Sequence, residues 1–118
     1  MEKFEYLDEI SEKCLILKIR QDFIDSYNGS IYEASRHIWR LSPKRVQDVD
    51  YVFSTLVGSG EIIEIFANLD WYNETDDRIS FKGVKAPKSI RNKYIGKGIP
   101  LKYIKKGCGM TACRYINC

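Results

Sequence analysis

At 118 residues the chain has the length of one domain, and its 44% hydrophobic and 13% aromatic content can build a packed core without disulfide staples. No apolar run approaches the roughly 18 residues of a membrane span, and the acidic stretch from Met1 to Glu12 is unlike a basic-then-apolar signal peptide; a soluble, cytoplasmic protein without membrane contact is expected. The net charge of +3 conceals a division: residues 1–77 hold all sixteen Asp and Glu against eight Lys and Arg, net −8, whereas residues 78–118 hold eleven Lys and Arg and no acid.

Residues 1–13 read as an acidic N-terminal segment and residues 14–118 as the core of a single domain. Cys14-Leu-Ile-Leu-Lys-Ile-Arg20 is apolar, partly alternating and rich in branched residues, which predicts a buried strand, with Phe23 and Ile24 continuing onto the core. Asn28-Gly29 supplies a turn. Ser30 with Glu33 then fits a capping box, each side chain satisfying a free amide at a helix start. A helix from about Ile31 to Trp39 follows, with Ala34, Ile38 and Leu41 facing inward. Ser42-Pro43 opens a second short helix, reaching Gln47 or Asp48.

Tyr51–Val57 and Glu61–Phe66 flank Gly58-Ser59-Gly60 and form a hairpin, because glycine permits the positive dihedrals of a tight reversal. Arg78–Lys82 alternates and stops at Gly83, another strand. Pro87 to Tyr94 makes one or two helical turns ended by Gly96. Gly96, Gly98 and Pro100 break the chain into a basic loop, and Cys113–Asn117 closes it as a strand. The expected fold is therefore α+β: a small mixed domain of about five strands with two or three short helices, its sheet curved or closed into a pseudo-barrel.

Catalytic signatures are sparse. Cys108, Cys113 and Cys118 recur at five-residue intervals, unlike the tight pairs of zinc sites, so these and Cys14 read as reduced thiols without a metal, Cys118 being exposed. His37 reads as half exposed on the first helix, with no nucleophile beside it. Tyr94-Ile95-Gly96 spells half the signature of the GIY-YIG nucleases, but the other half and any carboxylate after Asp77 are lacking. The glycine-rich stretches lack phosphate-loop spacing. No cofactor is implied, and catalysis on nucleic acid would need Glu61, Glu64 or Asp70 to face the basic loop.

Basic and aromatic residues together are more informative. Arg36, Trp39 and Arg40 lie near the first helix, Trp71 and Tyr72 follow the hairpin, and Arg91, Lys97, Lys102, Lys105 and Lys106 occupy the late basic region. Aromatic faces stack on unpaired bases, and Lys or Arg contacts to phosphate add affinity independent of sequence. The expected site has Arg36, Trp39, Trp71 and Tyr72 lining a pocket for a base, with Arg91 and the lysines on phosphates.

The ordered pattern Ile31-Tyr-Glu-Ala-Ser-Arg36-His-Ile-Trp39, Tyr51-Val-Phe53, Gly60-Glu-Ile-Ile-Glu-Ile-Phe66, Trp71-Tyr72, Arg78-Ile-Ser-Phe-Lys-Gly83, Tyr94-Ile-Gly-Lys97 and Arg114-Tyr-Ile-Asn117 resembles an uncharacterised bacterial domain found alone and fused to GIY-YIG nuclease modules. It departs from that domain at Thr111-Ala112, where an Asn-Pro is usual. The layout is also similar to the PUA-like group that includes the EVE and ASCH modules. That likeness implies a pseudo-barrel whose cleft receives RNA or a flipped, modified base. The expected function is a non-catalytic nucleic-acid-binding module, for RNA or DNA, reading an unpaired or modified base. The same charge division, read between proteins, gives the alternative: an interaction or regulatory module, either a homodimer or a partner in a bacterial defence or mobile-element system.

Overall fold

The computed structural model describes residues 5–36, 39–103 and 113–117. Five strands, β1 (Cys14–Ile19), β2 (Tyr51–Leu56), β3 (Ile62–Thr75), β4 (Arg78–Lys85) and β5 (Cys113–Ile116), form one mixed sheet in the order β4-β3-β2-β1-β5. Only β1 and β2 are parallel among these neighbours. A parallel pair needs a crossover, which α1 (Gln21–Ser26), α2 (Ile31–Arg36) and the 3₁₀ turn Arg45–Asp48 supply; α3 (Lys88–Tyr94) follows β4. This is the small α+β domain expected. No helix among the described residues is long and apolar enough to cross a membrane.

The near-continuous apolar run of β1 is explained by burial on both faces, unlike the strict alternation of a half-solvated strand. On one face Cys14, Ile16, Phe53, Ile65 and Ala67 pack with Ile10, with Tyr94 of α3 and with Ile99. On the other, Leu15, Leu17, Ile19, Val52 and Phe66 pack with Ile24 of α1 and Ala34 of α2. The Oγ atoms of Ser35 and Ser54, 2.6 Å apart and buried, tie α2 to β2. The acidic N-terminal segment joins the domain from Glu5 onward, through hydrogen bonds of its backbone with Gly98 and burial of Ile10.

Local signals explain most boundaries. Ser30 Oγ accepts from the Glu33 amide at 3.1 Å, one arm of the capping box, whereas the Ser30 amide is taken by the Tyr27 carbonyl. Ser42 Oγ caps the Arg45 amide in the same way at 3.2 Å. Gly96, at φ 91°, stops the chain after α3, and Gly58 and Gly60 take positive φ in the hairpin. Three readings need correction. Residues 21–26 form a helix, which leaves Phe23 41% exposed and only Ile24 buried. The helix from Ile31 is described to Arg36, and Trp39 instead bridges to Ile79. Finally β3 runs on to Thr75, so Trp71 and Tyr72 stand inside a strand, and β4 passes through Gly83 to Lys85.

The extended β3–β4 ribbon outruns β2 and would expose its apolar residues if it stayed flat. It bends back instead. Pairing is interrupted between Ala67 and Asp70, Asn68 takes φ 54°, and beyond the break Phe81 joins the cluster of Leu15, Leu17 and Ile19. Phe81 sits 5.0 Å from Trp71, 6.1 Å from Phe66 and 6.4 Å from Tyr32, ring centre to ring centre. Gly83 lies against the bend: a Cβ there would meet the Ala67 carbonyl oxygen at 2.9 Å and Leu69 Cδ2 at 3.2 Å.

Helix α2 closes the free edge of the bent ribbon. The Gly83 amide donates to the Tyr32 hydroxyl at 3.2 Å, Arg36 Nε donates to the Phe81 carbonyl at 3.1 Å, and the Trp39 backbone exchanges two hydrogen bonds with Ile79 at 2.8 and 2.9 Å. The spacing is geometric. Four helical residues advance about 6 Å and two strand residues about 6.6 Å, so positions 32 and 36 come level with alternate edge groups of β4.

Replacing Gly83 by alanine should therefore push the two strands apart at the bend and cost about 1–3 kcal/mol of unfolding free energy. Urea denaturation followed by circular dichroism measures this; an unchanged midpoint would show that the close approach carries no constraint.

Candidate functional site

Where β1 gives way to α1, at the end of the parallel pair, lies a hollow of about 420 Å³ lined by Lys18, Ile19, Arg20, Asp22, Phe23, Ser26 and Trp39. Strand alternation sends Lys18 and the buried Ile19 to opposite faces of the sheet, so the hollow wraps over the end of β1. Lys18 Nζ donates to the Tyr103 carbonyl at 2.8 Å. Arg20, extended at φ −82° and ψ 146°, ends the strand and caps α1; its Nη2 pairs with Asp22 Oδ2 at 2.8 Å, both side chains about 70% exposed. Phe23 follows one position before Ile24, so burying Ile24 turns the phenyl ring outward, edge-on to Tyr27 at 5.3 Å.

Trp39 reaches the hollow because its backbone is fixed to Ile79 of the ribbon. Its indole Nε1 donates to the Ser35 carbonyl at 2.7 Å, which holds the ring while leaving it half-buried at the wall. The chain from Lys97 to Tyr103 is bonded to the same end of the sheet. The Ile62 amide donates to the Lys97 carbonyl at 2.8 Å, and the Ile99 amide to the Gly60 carbonyl in the hairpin at 3.0 Å. Lys102 stands on the 3₁₀ turn Leu101–Tyr103. Lys105, Lys106, His37, Cys108 and Cys118 lie outside the described residues.

The other residues expected at the site are not at this hollow. Arg36 is held between Tyr32 and Tyr72, with its Cζ 5.7 and 5.9 Å from the ring centres; it donates to the Tyr72 hydroxyl and, at 3.3 Å, to Glu33. Trp71 packs on Phe81, and its Nε1 is buried without a hydrogen-bond partner among the described residues. Arg40 pairs with Asp77 at 3.3 Å near the tip of the ribbon. Arg36 and Tyr72 thus meet each other, while Trp39 joins Phe23, Lys18 and Arg20, none of them singled out from the sequence. A strand ending in Lys18 and Arg20, with an aromatic residue just beyond, was the available signal.

Acids of the first part neutralise several cations of the last. Arg91 grips the buried Glu64 with both forks, Nε to Oε1 at 2.9 Å and Nη2 to Oε2 at 3.2 Å, and Lys85 approaches Oε2 at 3.7 Å. Burial raises the Glu64 pKa, but the hydrogen bonds from Arg91 and the Ile65 amide and the two cations outweigh it and hold the carboxyl below its ordinary value. Glu12 is also held low: partial burial opposes ionisation, while the Tyr94 hydroxyl and Lys93, 3.6 Å away, favour it more. Glu64 is thus a structural counter-ion, and Asp70 stands opposite Lys82 on the ribbon. Cys14 is buried, and burial pushes the Cys113 thiol up to about 12, which keeps it protonated and unreactive. Among the described residues no group of three or more His, Cys, Asp and Glu could hold a metal ion.

Both carboxyls have folded-state pKa values below the ordinary 4.5, so their stabilisation is present above that pH and is lost as pH falls through the depressed values. Stability should therefore be level from neutrality to about pH 5 and fall steeply below. Glu64→Gln should cost roughly 1–3 kcal/mol at pH 7 and shallow that acid slope, measured by urea titrations across pH. An unaltered slope would assign acid lability elsewhere.

Compared with known proteins, the chain matches no family model, and no curated protein or solved structure shows significant similarity to it.

Proposed function

We propose that this protein is a non-catalytic nucleic-acid-binding module that receives an unpaired base in the hollow beside Trp39, with Phe23 as a second aromatic surface. The observation that carries the reading is the meeting of these two rings with Lys18 and Arg20 around one recess of about 420 Å³. Ligand recesses typically span about 300–1,000 Å³. Stacking takes any base, so the site needs no sequence readout to bind. Phosphates flanking the base would meet Arg20 and Lys97, whose backbone is bonded to the same end of the sheet.

Anisotropy of labelled single- and double-stranded oligonucleotides at rising salt tests this. Single strands should bind more tightly, with affinity falling as salt rises. Phe23→Ala should lose roughly 1–3 kcal/mol of binding, and Arg20→Ala should lower the salt slope by about one. Phe23 is exposed, so its removal leaves the core intact. Absence of binding at low salt rejects the proposal. If the protein then self-associates in a salt-sensitive way, the interaction-module reading gains, with Phe23 and the 54% exposed Val57 as apolar contacts.

A further inference from the structure

We infer that Asp22 is a specificity-determining residue that makes the hollow prefer bases carrying an exocyclic amine, cytosine above all, over uracil and thymine; the inference rests on the base-binding reading above. The donors and acceptors around the recess are unequal. Lys18 and Arg20 can only donate, the indole Nε1 of Trp39 is committed to Ser35, and Ser26 Oγ donates to the Phe23 carbonyl at 2.6 Å. Asp22 is the one carboxylate among the described residues lining the hollow. Arg20 holds its Oδ2 at 2.8 Å, while Oδ1 accepts no hydrogen bond from the described residues and the side chain is 68% exposed. The Arg20 pairing orients the carboxylate and partly offsets its repulsion of phosphate.

A base stacked on Trp39 presents its Watson–Crick edge to the rim of the recess. The amine on C4 of cytosine donates to a carboxylate, a recurrent pairing. Uracil and thymine place a carbonyl oxygen at that position and carry their N3–H between two carbonyls, so the carboxylate repels what surrounds the only donor. Asp22 also lies in the first turn of α1, where a negative charge favours the helix whatever the ligand. A preference between bases separates the two roles, because helix support would change all affinities together.

The experiment compares cytosine and uracil or thymine homo-oligomers, ribo and deoxyribo, by anisotropy with wild type, Asp22→Ala and Asp22→Asn, each checked for folding by circular dichroism. Wild type should bind the cytosine oligomer about five- to a hundredfold more tightly. Asp22→Ala should bring the ratio within about twofold, with binding of the uracil or thymine oligomer unchanged or tightened, whereas Asp22→Asn, which keeps an acceptor oxygen but adds an amide donor for the carbonyl of uracil or thymine, should narrow it. Equal binding by wild type, or a preference that persists undiminished in Asp22→Ala, overturns the role of Asp22 while leaving the base-binding reading standing. Failure of every oligomer to bind at low salt removes both. The ribo and deoxyribo arms distinguish RNA from DNA as the source of the base.

Discussion

The bend in the β3–β4 ribbon is the constraint on which the rest of the structure depends. A flat ribbon running past the end of β2 would leave Trp71, Ile79 and Phe81 in water. The pairing break at Asn68, met by a glycine with no side chain to obstruct it, turns Trp71 and Phe81 back over Leu15, Leu17 and Ile19, and Ile79 is buried as well. β4 is the last strand of the sheet, so its outer edge presents backbone groups that no further strand pairs. Helix α2 bonds that edge through Tyr32 and Arg36, and beyond the helix the backbone at Trp39 bridges to it at Ile79. Bend and helix therefore act together: the bend packs Phe81 and Trp71 on the core, and the helix satisfies groups on the ribbon's outer edge.

That arrangement separates residues that look alike in composition. Arg36 and Tyr72 have the chemistry of a nucleic-acid contact, yet the guanidinium is used on a backbone carbonyl, a carboxylate and two aromatic rings of its own chain. Trp71, partly buried, packs against the core. Trp39, three residues beyond Arg36, has its backbone in the edge and its ring at the hollow, so the contact that seals the ribbon also fixes the wall of the recess.

Charge behaves similarly. The basic last third is not one open surface, because Arg91 and Lys85 converge on Glu64 and Lys93 approaches Glu12. These pairs dock α3 onto the sheet and onto the N-terminal segment. The buried Glu64 is held by a bidentate fork and a backbone amide, the geometry in which an ion pair offsets its own desolvation. The positive potential available to a partner is accordingly less than the sequence count implies, and the local arrangement around the hollow matters more than the total.

What the sequence determined by itself is what short-range chemistry controls: the buried strand at Cys14–Ile19, the capped start at Ser30, the glycine hairpin at 58–60, the short helix before Gly96, and hence the α+β class. In each case the deciding atoms lie within a few residues of one another, so local pattern suffices. The tertiary structure alone decided the length of β3, the helix at 21–26 and the membership of the site. Trp71 was readable as an aromatic after a hairpin, but whether it stacks on Phe81 or on a ligand depends on a bend opposite a glycine twelve residues away. Lys18, Arg20 and Phe23 became neighbours of Trp39 only because a crossover helix and a folded-back ribbon meet at one end of the sheet. Such meetings are set by packing over long sequence separations, which neither periodicity nor composition records.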